Sequence, residues 1–598
     1  MNDSARTFLG VEASLLGRRW THALTPRTEA LAVEIAQRQG LPDLVARVLA
    51  ARGVAAPEAA RFLDPTIRDL MPDPSSLTDM DAAALRLADA IERRERIAIF
   101  GDYDVDGAAS VALLFRYLRH FGLEAAIRIP DRLTEGYGPN PTAMRELAAG
   151  GAQLIVTVDC GTTSVEALTE AARARAQVIV LDHHQTGTAL PPALAIVNPN
   201  RQDDLSGQGH LCAAGVVYLT LVAVSRELRR RGHAAARLPN LLDDLDLAAL
   251  ATVCDVVPLT GFNRALVVKG LQVLRGRRNI GLKALCNVAR LAGPASVYHL
   301  GFLLGPRINA GGRIGAAHLG SRLLTTGDEG EAEALAQELH LLNEERQGIE
   351  RRMLDEAEAE VAAEIGAGEG PAILIASRQD WHPGIVGLVA SRLKERFGRP
   401  AFAIAFDASG RGSGSGRSIP GFDVGSLIRR AVEDGLLVKG GGHAMAAGLT
   451  IERSRLSDFR AFLEAAAGNR IHDLRAQDTL RIDGAVSASG LTLELAGTLE
   501  RAGPYGQGHS QPVLALPRHR VISGAPVGAS GHLRVTLKAA DGASLSAIAF
   551  RAMGTPLEPR LLDSGGRPVH VAGCVSLDHF QGRERVSFRI SDIADAYD

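Results

Sequence analysis

Apolar and polar positions change rhythm several times along the chain. Over residues 28–95 apolar side chains recur every three or four positions, as in LPDLVARVLAARGV, and Asp81 can cap DAAALRLADAIERRE; both patterns predict helices. From residue 97 short apolar runs alternate with amphipathic ones. RIAIF, AAIRI, QLIVTV, QVIVL and the short LAIVN predict strands, and AASVALLFRYLRHF, PTAMRELAAGG and SVEALTEAARARA predict helices between them. Such alternation implies an α/β domain whose parallel sheet carries helices on both faces. A helix-rich part follows from 212 to about 325. Residues 328–369 hold fourteen acidic and three basic residues, with Leu335, Leu339, Leu342, Ile349 and Met353 near helical spacing. This predicts one long connecting helix with a narrow apolar stripe. PAILIA, IVGLVASRLKERF and PAFAIAF predict a second, smaller α/β domain. From 479 the chain turns to TLRIDGAVS, HLRVTLKAA, SLSAIAF, RPVHVAGCVSL and RVSFRISDI, which predict a small β-barrel or sandwich. The expected divisions are a helical segment 1–75, a parallel-sheet domain 76–327, the connecting helix 328–369, the smaller α/β domain 370–468 and the β domain 475–598.

At 598 residues the chain is too long for one core, in line with a prior of about four domains. A net charge of −2 and a pI near 6.8 give no global pull toward nucleic acid or membrane, so local charge decides. Five scattered cysteines without a C-x-x-C pair suggest neither a disulfide framework nor a zinc ribbon. MNDSARTFLG lacks the layout of a signal peptide, and no apolar run reaches the roughly 18 residues of a membrane span. A reduced, soluble, cytoplasmic protein is expected.

The stretch IAIFGDYDVDGAAS places Asp102, Asp104 and Asp106 directly after an apolar strand. In a parallel sheet, ligands bind beyond the C-terminal strand ends. QLIVTV ends in Asp159, QVIVL ends in Asp182, His183 and His184, and Asp255 follows the apolar helix LAALATVC. Several carboxylates and imidazoles brought to one rim repel one another unless cations lie between them, and that donor set suits Mn²⁺ or Mg²⁺. A carboxylate shared by two ions suits phosphoryl chemistry. The alternative for the first stretch is a capped turn, with Asp106 capping the next helix. Cys160 and Cys254, beside two of these acids, are expected to be buried neighbours rather than ligands.

GDYDVDG, VDCG, DHH and ATVCDVVPL resemble, in order and spacing, the four motifs of the DHH phosphoesterase superfamily. DMDAAALRLADAI, IPDRLTEGYG, GPRINAGGRI, WHPGIVGLVASRLKERFGRPAF, GSGRSIPGFDV, KGGGHAMAAG and GPYGQGHSQPVL are similar to its RecJ branch, and the resemblance runs from about residue 20 to the C-terminus. It implies a DHH catalytic domain, a DHHA1-type phosphate- and DNA-binding domain, and an OB-fold-like single-strand-binding domain. The implied activity is metal-dependent 5′→3′ exonucleolysis of single-stranded DNA to 5′-mononucleotides, in DNA recombination and repair. By motif match, two divalent ions, Mn²⁺ or Mg²⁺, would be held by Asp104, Asp106, Asp159, His183 and Asp255, with Asp159 bridging. Asp102 would stand behind the ligands, Asp182 would orient a histidine, and His184 would contact the scissile phosphate. Some superfamily members carry a metal-binding His four residues before the position of Asp104; here that residue is Phe100. Ser415, Arg417 and His443 would grip the 5′-terminal phosphate, with Arg132, Arg307 and Arg313 sharing the task. The expected partners are single-stranded DNA with a 5′ end, a helicase and a single-strand-binding protein; a monomer without membrane contact is expected. The alternatives are a DHH phosphoesterase on short oligonucleotides or cyclic dinucleotides, and a non-catalytic DNA-binding replication scaffold.

Two further patterns bear on the DNA path. Residues 256–327 hold no acid and ten basic residues: Arg264, Lys269, Arg275, Arg277, Arg278, Lys283, Arg290, Arg307, Arg313 and Arg322. A phosphate-tracking channel and a merely solvated basic face both fit this pattern. The glycine-rich GRGSGSGRS and KGGGHAMAAG read as phosphate cradles or as surface loops. In the β domain, Tyr505, Phe550, Phe580 and Phe588 are candidates either for base stacking or for core. Tyr505 and His509 stand where the family more often shows Phe and Asn.

Overall fold

The computed structural model describes residues 6–131, 134–291, 293–366, 368–528, 531–580 and 583–596. Five parallel strands form the first sheet, in the order Ala126–Arg128, Ile97–Gly101, Leu154–Val158, Gln177–Leu181, Ala195–Val197. Side chains alternate across it. Ile97 and Ile99 enter one core with the helices Met80–Glu92, Val105–His120, Ala213–Arg230 and Leu245–Cys254. Ala98 and Phe100 enter the core beneath Pro141–Ala149 and Val165–Arg173.

The helix Glu329–Ile365 runs 37 residues, capped by Asp328, which accepts from the Glu331 N–H at 2.6 Å. Its apolar stripe serves two cores. Leu335 and Leu339 pack on the parallel-sheet domain, while Met353, Ala357 and Val361 pack on the second α/β domain. At 1.5 Å per residue it spans roughly 55 Å and fixes the two domains to one rod.

The second domain has a mixed sheet, in the order Lys439–His443, Ala446–Glu452, Arg411–Arg417, Ala401–Phe406, Leu374–Arg378. Both glycine-rich segments are therefore strands, not loops. In Arg411–Arg417 the glycines alternate inward and Ser413, Ser415 and Arg417 outward. A Cβ on Gly416 would lie 2.2 Å from the Phe402 ring, and one on Gly414 2.8 Å from Leu449. These glycines make room for the core side chains beneath the strand.

The C-terminal β domain is a five-stranded closed barrel: Leu514–Val527, His532–Lys538, Ser544–Ala549, Arg583–Asp595 and Val569–Phe580, which pairs back onto the first. The strand Leu514–Val527 is absent from the sequence reading because Pro517, Gly524 and Pro526 interrupt its alternation; a register irregularity falls at Pro517, between Leu516 and His519. Thr479–Ile482 is not a barrel strand. It pairs in parallel with Arg19–His22. The first sixty or so residues are likewise no separate unit. Ile35, Val45, Val48 and Leu49 share a core with Leu499, Leu514, Val535 and Val571. Trp20 Nε1 donates to Asp592 at 3.1 Å, and Arg52 pairs with Asp483. Among the described residues, no helix is long and apolar enough to cross a membrane.

Candidate metal centre

Strand register brings the acids together. Gly101 pairs with Val158, and Val158 with Leu181, so the next residues, Asp102, Asp159 and Asp182, leave the sheet at one level. The chain after Asp102 turns tightly into the helix Val105–His120; Gly107 permits this, because a Cβ there would lie 2.5 Å from the Asp102 carbonyl. Asp104 caps that helix, accepting from Gly107 N–H at 3.0 Å. One ligand atom each from Asp102, Asp104 and Asp159 lies within 4.8 Å of the others, and the same holds for Asp106, His183 and Asp255, and for Asp159, His183 and His184. His183 Nε2 stands 3.4 Å from Asp159 Oδ1, 3.7 Å from Asp106 Oδ2 and 3.7 Å from Asp255 Oδ2. Asp102, which the sequence reading sets behind the ligands, thus joins the same donor group as Asp104. Asp159 is common to both sides of the cluster, at a positive φ of 61°.

The electrostatics fit a cation site. Burial raises the Asp106 pKa, and the Asp104 charge adds to it against the pull of His183. Burial and then the neighbouring aspartates raise Asp159 well above the carboxylate range. Burial, with Asp106 and Asp104, pushes Asp255 up to about 9. Asp159 Oδ1 and Asp255 Oδ2 are buried yet accept no hydrogen bond among the described residues. Buried carboxylates are normally satisfied. Oxygen and imidazole donors left converging in this way match a divalent cation of the Mn²⁺ or Mg²⁺ type. Burial lowers the His183 pKa against the surrounding carboxylates, leaving a neutral imidazole of the kind metals bind.

Asp182 does different work. Its Oδ2 accepts from Thr162 N–H at 3.1 Å and Oγ1 at 2.7 Å, and its Oδ1 meets the His183 and His184 amides and His184 Nδ1 at 2.8 Å. Burial alone would raise this carboxyl; His184 and Thr162 outweigh it and hold the group well below the usual range. Conversely, burial lowers His184, but Asp182 overcomes it and the ring's pKa is raised.

Several supporting groups escaped sequence reasoning. Asp106 is held by the start of helix Ala213–Arg230, whose Ala213 and Ala214 amides donate at 2.7 and 2.8 Å. A helix N-terminus favours an anion there, and the only sequence sign is the small-residue run LCAAG. The Tyr137 hydroxyl donates to the Asp159 carbonyl at 2.9 Å and lies 3.0 Å from His184 Nδ1. Asn198 and Asn200, from VNPN, hold the carbonyls of His184 and His183. Phe100 is wholly buried in the core below the sheet. Both thiols turn to backbone carbonyls: Cys160 to Val158 at 3.3 Å and Cys254 to Leu300 at 3.4 Å.

A second group of candidates lies on the smaller domain. Arg417 Nη1 donates to Ser415 Oγ at 2.7 Å over Gly387, and Arg417 pairs across the ladder with Ala446, which in turn pairs with His443. The helix Gly305–Ile314 joins this group to the carboxylates. Its Asn309 Oδ1 accepts from Val105 N–H at 3.2 Å, Gly312 sits against the Tyr103 ring, and Arg313 Nη1 donates to Gly384 at 3.0 Å. Arg307 is mostly buried and donates to Leu303 at 2.6 Å. Arg132 lies outside the described residues.

The basic stretch 256–327 is partly paired in space. Arg264 donates to the Phe62 and Arg501 carbonyls and Arg277 to the Leu291 carbonyl, while Lys269, Arg278, Lys283 and Arg322 pair with Asp64, Asp243, Glu329 and Glu331. Of the barrel aromatics, Phe588 is core; Tyr505 stacks on buried His509 and bonds the Leu499 carbonyl; Phe550 is half exposed. The Phe580 side chain lies outside the described residues.

With this geometry in hand, the likenesses to known proteins agree. Residues 96–252 match the DHH family N-terminal domain, 370–469 the DHHA1 domain, and 482–592 the RecJ OB domain. A parallel sheet with an Asp/His rim, followed by these partners, defines a DHH-family phosphoesterase. The single-stranded-DNA-specific exonuclease RecJ of Salmonella typhimurium is 37% identical over 565 residues, covering 92% of this chain and 96% of that one. That of Bacillus subtilis is 33% identical over 558 residues, 93% and 68% of the two chains. Thermus thermophilus RecJ crystallised with Mn²⁺ superposes with a TM-score of 0.78 at 30% identity, covering 96% and 79%; with Mg²⁺ the TM-score is 0.72. The chain belongs to the RecJ family of single-stranded-DNA-specific exonucleases.

Proposed function

We propose that this protein removes 5′-mononucleotides stepwise from the 5′ end of single-stranded DNA, in recombination and repair. The observation that carries the reading is the pair of donor groups, Asp102–Asp104–Asp159 and Asp106–His183–Asp255, meeting at one strand-end rim. They would hold two divalent cations, Mn²⁺ or Mg²⁺, with Asp159 between them. Bound there, the ions would supply an acidified water and neutralise charge on the reacting phosphoryl group.

The chain's own residues supply the rest. Asp182 keeps His184 oriented and raises its pKa, so the ring can donate to a phosphate oxygen as charge develops. Ser415, Arg417 and His443, with Arg313, would bind the terminal 5′-phosphate. The helix Gly305–Ile314 touches both the metal loop and, at Gly384, the domain that carries this group, so it would set their separation and hence the polarity of cutting. Breaking the P–O3′ bond places hydroxide oxygen on phosphorus and a proton on the departing 3′-oxygen. The shortened strand then carries a new 5′-phosphate, the group the second site accepts. A helicase and a single-strand-binding protein would supply and hold the strand; the chain acts as a monomer.

The test is digestion of a 3′-labelled, 5′-phosphorylated single-stranded oligonucleotide with Mn²⁺, beside its blunt duplex and a D104A/D106A variant. Stepwise shortening from the 5′ end, absent in duplex and variant, is expected. Intact strands with tight binding would instead indicate a scaffold, and cutting confined to di- and trinucleotides a small-substrate phosphoesterase.

A further inference from the structure

Two large aromatic rings near the metal loop have no part in the core. Tyr298 is 60% exposed and Phe302 66% exposed, and their rings stack on each other, with centroids 5.2 Å apart and planes at 21°. Leaving such rings in water forgoes the stabilisation of burying them. The segment holding them is tightly fixed, however. Residues His299–Leu304 form a π-helix, the only one among the described residues. Leu300 and Leu304 are fully buried, the Leu300 carbonyl accepts from Cys254 Sγ–H, and a Cβ on Gly305 would collide with that sulfur at 2.4 Å. Cys254 immediately precedes Asp255. The rings are thus held out by a backbone clamped beside a carboxylate of the cluster. π-Helical turns of this kind occur frequently at functional sites.

The segment's continuation is informative. The π-turn continues without a break into Gly305–Ile314, whose Asn309 bonds the metal loop and whose Arg313 bonds the smaller domain. The ring pair thus sits at one end of the rod that touches both.

We infer that the Tyr298–Phe302 stack is a platform for unpaired bases of the DNA strand. The inference rests on the nuclease reading for its ligand. A base presents a π-face whatever its identity, so the platform grips without reading sequence. A duplex keeps its bases stacked within the helix, so the platform also contributes to single-strand preference.

The test is binding, read by anisotropy of a 5′-phosphorylated, labelled oligo(dT) in EDTA, where neither cutting nor its polarity enters. Y298A/F302A is expected to weaken binding by about tenfold or more, and Y298F/F302Y, which keeps both rings, to stay within about twofold. A single abasic site, walked along the oligonucleotide, should weaken wild-type binding at the platform's position and leave Y298A/F302A nearly unaffected there. Equal binding by the alanine variant, or equal abasic effects in both proteins, would overturn the platform. F302W gives an independent readout, because Trp20 and Trp381 are buried. Its emission should be quenched by oligo(dT), and unchanged emission would count against the inference. If the digestion assay shows no 5′→3′ cutting while these binding results hold, the nuclease reading fails and the platform stands.

Discussion

Neutralising one carboxylate of the metal cluster should stabilise the metal-free fold while destroying activity. Asp255 is the best choice, since its side chain is only 22% exposed and its pKa is pushed up to about 9 from an ordinary 3.8. A raised carboxyl keeps a proton in the fold that the unfolded chain has already lost. Its contribution is therefore favourable at low pH and is lost as pH rises from about 4 toward 9. At pH 7 the gap from 3.8 is about three units, or roughly 4 kcal/mol at 1.36 kcal/mol per unit. Asn needs no such proton yet still buries an amide, so about half, ~2 kcal/mol, is the expected gain. In a domain of this size that is roughly 4–8 °C of melting temperature. Differential scanning calorimetry of wild type and D255N, in EDTA and in Mn²⁺, at pH 5 and pH 8, reads it directly. In EDTA the variant should melt higher, by more at pH 8 than at pH 5. In saturating Mn²⁺ the order should reverse, because wild type gains about 2.7 kcal/mol at a hundred times Kd and the variant has lost a ligand. A D255N protein that melts at or below wild type in EDTA at pH 8 would refute the reasoning.

Three more outcomes are expected. D182N should shift the descending, alkaline limb of the pH–rate profile to lower pH, because Asp182 is what raises His184; an unmoved limb would remove His184 as the protonated donor. A213P keeps the φ and position suited to a first helical residue but deletes the N–H that holds Asp106 Oδ2; Mn²⁺ titration should show at least about tenfold weaker activation, on a strength of roughly 1.5–3 kcal/mol for a charged hydrogen bond. G416V should destabilise the smaller domain by about 1–3 kcal/mol, since its Cβ would fall 2.2 Å from Phe402, while S413A on the outer face should change little; urea unfolding separates them.

What could be read from the sequence was what depends on local pattern. Strands ending in Asp102, Asp159 and Asp182 were legible because an apolar run stops where a charge begins, and a parallel sheet puts those ends together. The long helix was legible from its narrow stripe and acidic surface. What escaped depends on distant partners. The Ala213 and Ala214 amides that hold Asp106 carry no side-chain signal, and Tyr137 reaches His184 across 47 residues. The acid-free stretch reads as unpaired in sequence because the counter-charges of four of its basic residues, Asp64, Asp243, Glu329 and Glu331, lie outside it. The glycines of Arg411–Arg417 looked like a loop because the reason for them is the Phe402 ring on a neighbouring strand. Leu514–Val527 was hidden by its prolines and glycine.

The shared core of the first and last segments has a consequence for how the molecule is made. Leu49 and its neighbours leave the ribosome early, but Leu514 and Val571, which cover them, come roughly 450 or more residues later. At about 5–20 residues per second, that is roughly half a minute to a minute and a half of waiting. Throughout that interval the catalytic domain can fold behind a nascent arm whose apolar face still lacks its barrel partners, and that core closes only once the strands around Leu514 and Val571 have emerged.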